Sequence, residues 1–158
     1  MPVDKNVTRW APLIIQAFRQ TGTYTEAELG QWVAASMALM YRESRGNPKA
    51  RHKKTGAFGL FQTLPEYHPI LENPRGQINY FAKSMARYKG PTRGHIPSAL
   101  MVWASGPGAL RKFVATGEAA HNKVLPHLRN VEDMTAGAGW RSYSSWLTGW
   151  VDAGSPTT

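Results

Sequence analysis

The apolar positions of this chain recur at steps of three and four residues, which is the spacing of amphipathic helices. Thr25 and Glu28 form a Thr-x-x-Glu capping box, and this box predicts the start of the clearest helix. The helix is expected to end near Gly46, because Pro48 prevents its continuation. Its apolar stripe consists of Leu29, Trp32, Val33, Ser36, Met37 and Met40.

Further helices are predicted on both sides of this segment. An earlier one carries an apolar series from Trp10 to Phe18 and closes at Gly22. A later one starts with Asn73 as the N-cap and Pro74 as the first helical residue. Its apolar stripe comprises Ile78, Phe81, Ala82, Met85 and Tyr88, and Gly90 ends it.

The C-terminal third is predicted to be helical but interrupted. Pro97 opens a helix that Gly106-Pro107-Gly108 breaks, and a short helix follows around 109–115. Segment 121–131 has helical spacing with Pro126 inside it, and Gly137 and Gly139 suggest a hinge. Segment 140–150 places aromatic residues at helical steps. It is expected to pack on the core or cover a groove, with a membrane interface or wall sugars as the alternative partner.

No long stretch alternates apolar and polar residues, so the expected fold class is all-α or nearly so. Residues 51–66 are glycine-containing loop, with room for a small hairpin within 51–64. We expect a single domain over 1–153, followed by a flexible tail at 154–158.

Composition excludes several kinds of chemistry. The 158 residues include no cysteine, which excludes disulfides, a thiol nucleophile and a cysteine metal site. The five histidines lack metal-ligand spacing, so neither a metal nor another cofactor is expected. Lys plus Arg number 19 and Asp plus Glu number 10, and the net charge of +9 implies an anionic partner. DNA, an anionic membrane and the bacterial cell wall all fit this charge.

The first residues lack the pattern of a secretory signal, and no apolar run approaches the roughly 20 residues of a membrane-spanning helix. We therefore expect a soluble product, made in the cytoplasm and carried to any outside target by another agent.

Glu43 is the outstanding candidate for chemistry. It lies three residues beyond Met40, and this spacing places it on the same face as the apolar stripe. It also lies in the last turn of the predicted helix. Burial and the negative end of the helix dipole would both raise the pKa of its carboxyl group. A neutral carboxylic acid can donate a proton, as glycosidic bond cleavage requires. The alternative is a structural ion pair with Arg42, Arg45 or another base.

The residues around Glu43 carry a resemblance. Glu43-Ser44 is followed by Asn47-Pro48 and then by Gly56-Ala57-Phe58-Gly59-Leu60-Phe61-Gln62, with Leu64-Pro65 after it. This series resembles lytic transglycosylases of the SLT type, which share the lysozyme-like fold and read Glu-Ser-x-x-Asn-Pro, then Gly-Ala-x-Gly-Leu-Met-Gln. Asn73-Pro74 with Ile78, and the segment ending at Gly106-Pro107-Gly108, resemble later motifs. The resemblance covers about residues 30–115.

The resemblance implies roles for six residues. Glu43 would be the single catalytic acid and base, and Ser44 would support it. Gly59, Phe61 and Gln62 would belong to the loop that lines the sugar groove, and Trp103 would stack on substrate or wall the groove. The implied substrate-binding set is therefore Ser44, Gly59, Phe61, Gln62 and Trp103.

Four departures from the family pattern stand out. Phe61 replaces the usual Met, and Ala104 replaces an Asn of the third motif. The loop before Gly56 is one residue longer, with His52 or Lys53 where Ser is common. The late Glu-Thr-x-x-Tyr-Val motif has no counterpart in 121–128, and Tyr143 is the candidate replacement for its Tyr.

The resemblance implies cleavage of the β-1,4 bond between N-acetylmuramic acid and N-acetylglucosamine in peptidoglycan, without water, to a 1,6-anhydro product. A hydrolytic muramidase is the first alternative, and it would commonly need a second carboxylate, with Glu66 as the candidate. A non-catalytic, basic virion or nucleic-acid-binding protein is the second alternative, although no nucleic acid is required by the first two.

The expected setting is a bacteriophage enzyme that degrades the cell wall. It would act as an endolysin released by a holin or as a part of the virion. We expect a monomer whose partners are glycan strands, with transient contact to the anionic envelope through its positive charge.

Overall fold

The computed structural model describes residues 5–94 and 96–106, together with Gly108 and Arg111. In these residues the chain forms α1 (Lys5–Thr8), α2 (Ala11–Gln20), α3 (Glu26–Ser44), α4 (Pro74–Lys89) and α5 (Ile96–Ser105). Within the same part of the chain there is no strand, which confirms the all-α fold class. The suggested hairpin is reduced to two isolated antiparallel bridges, from Phe58 to Arg51 and to Thr63.

Several predicted features lie outside the described residues. They are the short helix around 109–115, the segment 121–131, the hinge at Gly137 and Gly139, the aromatic segment 140–150 and the tail 154–158. Tyr143 and the C-terminal boundary of the domain at 153 belong to the same part of the chain.

The helix starts follow local sequence signals. Thr25 and Glu28 form both hydrogen bonds of the predicted capping box, each 3.2 Å long. Asn73 caps α4 by accepting a 3.2 Å hydrogen bond from the backbone N–H of Gly76, and Pro74 is the first residue of the helix. Both predicted starts are confirmed, because caps of this kind need only residues that are near in sequence.

Helix α3 runs through the centre of the core. Its residues from Trp32 to Met40 are buried without a break, because α1 and α2 both pack against it. Helix α4 packs against α2, and α5 packs against α4. After the exposed Gln31 the helix has no solvent side until its last turn, where Arg42 and Glu43 are exposed.

The end of α3 is fixed by a left-handed turn. Arg45 has a φ of 54°, and its N–H donates to the carbonyl oxygen of Met40 at 3.1 Å. Gly46 follows with a φ of 78°, and a Cβ there would lie 2.1 Å from the carbonyl oxygen of Asn6. The backbone of α1 thus approaches the end of α3 so closely that only glycine fits at position 46. The Nε1–H of Trp10 also donates to the Gly46 carbonyl at 3.0 Å.

Candidate active site

Glu43 lies in the last turn of α3 and is exposed to solvent, although the sequence had placed it on a buried stripe. The stripe prediction fails because the core ends at Met40 and the helix then emerges from it. The surrounding protein nevertheless desolvates the carboxyl group, and this burial raises its pKa above the ordinary value of 4.5. The side chain as a whole is exposed, whereas its carboxyl group is desolvated.

The charges around Glu43 are positive. Arg42 and His52 act on its carboxyl group in the direction that lowers the pKa, but desolvation outweighs them. Among the described residues no carboxylate acts on it. The ion pairs in that part of the chain are Arg19–Glu26 and Lys89–Glu28, so neither involves Glu43. Glu43 therefore does not form the alternative structural ion pair with Arg42 or Arg45.

Ser44 joins the end of α3 to the loop that follows it. Its side chain is buried, and Oγ donates a 2.7 Å hydrogen bond to the carbonyl oxygen of Leu60. The same Oγ accepts a 3.2 Å hydrogen bond from the N–H of Gly46. The predicted support of Glu43 by Ser44 stays a prediction, since the hydrogen bonds of this hydroxyl go to Met40, Leu60 and Gly46. Its hydrogen bonds are internal, so it holds the loop in place and does not face a ligand.

Gly59 is in a conformation that favours glycine and has no room for a side chain. Its φ is 86°, and a Cβ would lie 2.5 Å from Oε1 of Gln77. Its N–H donates a 2.8 Å hydrogen bond to the carbonyl oxygen of Ala50, which ties the two halves of the loop together. The glycine is therefore required by the fold of the loop.

Gln77 is a buried connection that the sequence analysis missed. Its Oε1 accepts from the N–H of Leu60 at 2.8 Å, and its Nε2 donates to the carbonyl oxygens of Pro48 at 3.0 Å and Leu71 at 2.9 Å. One side chain of α4 thus holds three separate points of the loop. A polar residue four positions before Phe81, on the apolar stripe of α4, was the available signal.

Gln62 has a left-handed backbone with a φ of 49°. Its Nε2 donates to the carbonyl oxygens of Ala50 and Gly59, both at 3.1 Å. The side chain is half-buried, so part of it faces solvent at the surface of the loop. Of the predicted groove residues, Gln62 is the one whose side chain is partly open to a ligand.

Phe61 is part of the core, although the resemblance places it in the substrate-binding set. The ring is 2% exposed and stacks on Phe81, with centroids 3.9 Å apart and planes 4° apart. Its backbone carbonyl accepts a 3.1 Å hydrogen bond from Nε1 of Trp103. The ring of Phe61 therefore anchors the loop to α4 through its packing against Phe81.

Trp103 is also buried, whereas we had expected it to stack on substrate or wall the groove. The side chain is 3% exposed and stacks on the ring of His68 at 4.5 Å. The edge-on ring of Phe81 lies 4.9 Å away. These two rings and the Phe61 carbonyl oxygen occupy the sides of the indole, so no face is free for a sugar. Trp103 therefore contributes to the packing of the core.

An exposed aromatic ring lies beyond these buried ones. Tyr67 is 38% exposed, and its ring rests against Gly106, where a Cβ would lie 2.7 Å from it. Gly106 has a φ of 86°, which favours glycine. The first glycine of Gly-Pro-Gly is therefore required both by its backbone conformation and by the close approach of the Tyr67 ring. His68 follows Tyr67, and its Nδ1 lies 2.8 Å from the hydroxyl of Tyr80.

Glu66, the candidate second carboxylate, is exposed on the same loop and forms no ion pair with a described residue. The described residues contain no group of three or more His, Cys, Asp or Glu side chains that could hold a metal ion. In this part of the chain every helix is too short or too polar to span a membrane.

A comparison with protein families found a match. The model described as "Transglycosylase SLT domain" matches residues 24–125, which include α3, the loop after it, α4 and α5. The family consists of lytic transglycosylases, lyases that act on peptidoglycan, and its domain has the lysozyme-like all-α fold. No curated protein and no solved structure matches the chain.

Proposed function

The chain belongs to the transglycosylase SLT domain family, and from this premise we propose that Glu43 is the single proton donor and acceptor of its peptidoglycan lytic transglycosylase activity. The observation that carries the proposal is the raised pKa of the Glu43 carboxyl group. Desolvation raises its pKa, and no described carboxylate acts on it. A raised pKa keeps the acid protonated at higher pH, so that it can donate to a leaving group.

The bond proposed to be cleaved is the β-1,4 link between N-acetylmuramic acid and N-acetylglucosamine. Protonated Glu43 donates its proton to the bridging oxygen while the bond from that oxygen to C1 breaks. The N-acetyl carbonyl of the substrate stabilises C1, as in substrate-assisted glycosidases. The Glu43 carboxylate then removes the proton from the C6 hydroxyl, whose oxygen attacks C1. The product is a 1,6-anhydro sugar, and Glu43 is protonated again.

The loop after α3 is proposed to hold the sugar opposite Glu43. Ser44 fixes the loop to the helix end through Leu60, and Gln77 fixes it from α4. Positioning of this kind lowers the entropic cost of bringing the substrate to the acid. Gln62, which is half-buried on this loop, is the proposed substrate contact.

Mass spectrometry of the released muropeptides tests the reaction type. An anhydro product, lighter than the hydrolysed one by one water, is the expected result. The hydrolysed product would instead favour the muramidase alternative, and loss of activity in Glu66→Gln would then assign its second carboxylate. Under the one-acid mechanism Glu66→Gln keeps its activity, whereas Glu43→Gln stops clearing purified walls with its fold intact.

The proposed setting is wall degradation during phage lysis or entry by a monomeric enzyme. The net charge of +9 supports action at an anionic wall. Expression in a bacterial host with and without a holin tests the endolysin role, which predicts lysis only when both are present. Wall-clearing activity in purified virions would indicate the entry role. Absence of both results would contradict a phage function.

A further inference from the structure

The turn that ends α3 is held from outside the helix. Gly46 lies three residues beyond Glu43, and its carbonyl oxygen accepts a 3.0 Å hydrogen bond from Nε1 of Trp10. Nη2 of Arg9 donates to the same oxygen at 3.4 Å. Trp10 and Arg9 lie between α1 and α2, 36 and 37 positions earlier in the chain. The end of the helix that carries Glu43 is therefore tied to an N-terminal segment.

Gly46 is held through both of its backbone polar groups. Besides its bonded carbonyl, its N–H donates a 3.2 Å hydrogen bond to Oγ of Ser44, the residue next to Glu43. The backbone of Asn6 and Val7 in α1 lies so close to the Cα of Gly46 that no side chain fits there. Helix α1 also packs against α3. The turn after Glu43 is therefore confined for as long as α1 stays in place.

The indole of Trp10 is itself fixed in position. It is half-buried and packs against the hydrophobic core. The guanidinium of Arg9 lies over the ring, 4.5 Å from its centroid. A ring that is covered in this way keeps its N–H aimed at one acceptor, and partial exclusion of water strengthens the hydrogen bond to Gly46.

Restraint at this point matters because of where Glu43 lies. It belongs to the last turn of α3. The end of a helix is its least restrained part, since its last carbonyl groups have no partners within the helix. A displacement of about 1 Å at a catalytic group can cost on the order of a hundredfold in rate. An acid in the last turn therefore needs a contact that stops the helix end from unwinding.

We propose that Trp10 is a positioning residue for the cleavage step, which holds the end of α3 through the Gly46 carbonyl and thereby fixes the Glu43 carboxyl group against the substrate. The inference rests on the proposed function, because that function assigns the proton transfers to Glu43. The family model matches residues 24–125, so α1, α2 and the residues between them precede the matched part of the chain. This N-terminal segment acts on the reaction through Glu43.

Trp10→Phe tests the proposal, since it keeps an aromatic ring and removes the N–H. The kcat on purified walls should fall about three- to tenfold, as expected for one lost hydrogen bond, while KM stays within about twofold of the parent. A looser helix end exposes the carboxyl group to more water, so the alkaline limb of kcat should move to lower pH. Arg42 and His52, whose charges act on Glu43, are unchanged in this variant.

A second form of the protein keeps the shape of the indole. Benzothienylalanine incorporated in place of Trp10 has sulfur where the indole has its N–H, so it fills the same space and cannot donate to Gly46. It should lower kcat and move the alkaline limb in the same direction as Trp10→Phe. Parent values of both quantities in the benzothienylalanine protein would overturn the proposal, whether or not Trp10→Phe folds.

Trp32→Phe is the matched control. Trp32 is buried in the same helix, and its ring packs on Tyr24 with centroids 5.3 Å apart. The control should lower the free energy of unfolding at least as much as Trp10→Phe, because it leaves a cavity in the core. Its alkaline limb should nevertheless stay at the parent position. An equal displacement of the limb in both variants would show that general loosening is the cause and would overturn the proposal.

NMR titration of Glu43 separates this inference from the catalytic proposal, because it needs no turnover. The pKa of Glu43 in Trp10→Phe should lie closer to the ordinary value of 4.5 than in the parent. If Glu43→Gln retained full turnover, the catalytic proposal would fail, and the titration would still decide whether Trp10 holds this carboxyl group. Equal pKa values of Glu43 in the parent and in Trp10→Phe would reject the role of Trp10 even with the catalytic proposal intact.

Discussion

The hydroxyl of Ser44 and the carbonyl oxygen of Leu60 lie 2.7 Å apart, and this hydrogen bond joins the helix that carries Glu43 to the loop beyond it. The two residues are 16 positions apart and belong to different parts of the backbone. Their contact is buried, so water does not compete for it. The distance between Glu43 and the loop therefore depends in part on this bond and on the contacts of Gln77.

Ser44→Ala should loosen the loop and lower the stability of the protein. The Leu60 carbonyl would lose this buried partner, at a cost of about 1 to 3 kcal/mol in the free energy of unfolding. The kcat on purified walls should fall with it, because the sugar would be held less firmly opposite Glu43. Urea unfolding and wall-clearing rates measure both effects.

Ser36→Ala is the control for that change. Ser36 is buried in the same helix, and its Oγ donates to the carbonyl oxygen of Trp32 at 2.7 Å, four residues earlier. This bond connects nothing outside the helix, and alanine is a better helix former. Ser36→Ala should therefore leave kcat near the parent value. Equal losses of kcat in both variants would contradict the role of Ser44 as a connection.

Two glycines should respond to alanine in opposite directions. Gly59→Ala puts a Cβ 2.5 Å from Oε1 of Gln77 and keeps a φ of 86°, so it should cost about 1 to 3 kcal/mol. Gly30 lies inside α3, and a Cβ there meets nothing within 4 Å. Gly30→Ala should stabilise the protein by about 0.5 to 1 kcal/mol through helix propensity.

Thermal and urea unfolding of the two variants give the measurement. A destabilised Gly30→Ala together with an unaffected Gly59→Ala would refute the packing described for the loop. The same assay on Gln77→Leu should show a loss, since the N–H of Leu60 and two carbonyl oxygens would lose their partner.

The helices could be predicted from the sequence because their signals are local. The box of Thr25 and Glu28 and the cap at Asn73 lie within three residues of the atoms that they satisfy. Motif spacing likewise predicted Glu43 and the loop around Gly59 as the candidate site, and this assignment stays a prediction. The direction of the pKa shift of Glu43 was also as predicted, although its physical source is desolvation at the core edge and not a buried stripe.

The burial of Phe61 and Trp103 could not be predicted in the same way. Trp103 is buried because His68, 35 residues earlier, stacks on it and Phe61 accepts its N–H. A motif gives the position of a residue along the chain, but long-range packing decides which way its side chain points. The connections made by Gln77 depend on three loop segments and were missed for the same reason.

The pH dependence of stability on the acid side should depend on His68. Desolvation by burial lowers its pKa below the ordinary value of 6.5, against a backbone contact with Trp103 that raises it. The folded protein thus binds fewer protons here than the unfolded chain. The stabilising contribution is complete above pH 6.5 and is lost as the pH falls through the folded pKa.

His68→Phe keeps a ring against Trp103 and removes the titrating group. The decline in stability below pH 6.5 should be smaller in this variant than in the parent, as measured by urea unfolding across the acid range. Direct titration of His68 by NMR should give a pKa below 6.5. A pKa at or above that value would show that the ring is not desolvated as described.

Glu43 should make the protein less stable as the pH rises. Its folded pKa lies above the ordinary value of 4.5, so the folded state binds more protons than the unfolded chain between the two values. The favourable contribution is complete below pH 4.5 and is lost as the pH rises through the folded pKa. Glu43→Gln has no such proton to lose, so this variant should become more stable than the parent as the pH is raised toward 8.

The same group should set the alkaline limb of activity, because only protonated Glu43 can donate to the bridging oxygen. The charge of Arg42 opposes the upward shift, so Arg42→Ala should raise the pKa of Glu43 further and move that limb to higher pH. Lys83→Ala, on the exposed face of α4, should not move it. A limb that stays in place in Arg42→Ala, or a Glu43→Gln variant with the parent's pH–stability profile, would show that another group supplies the proton.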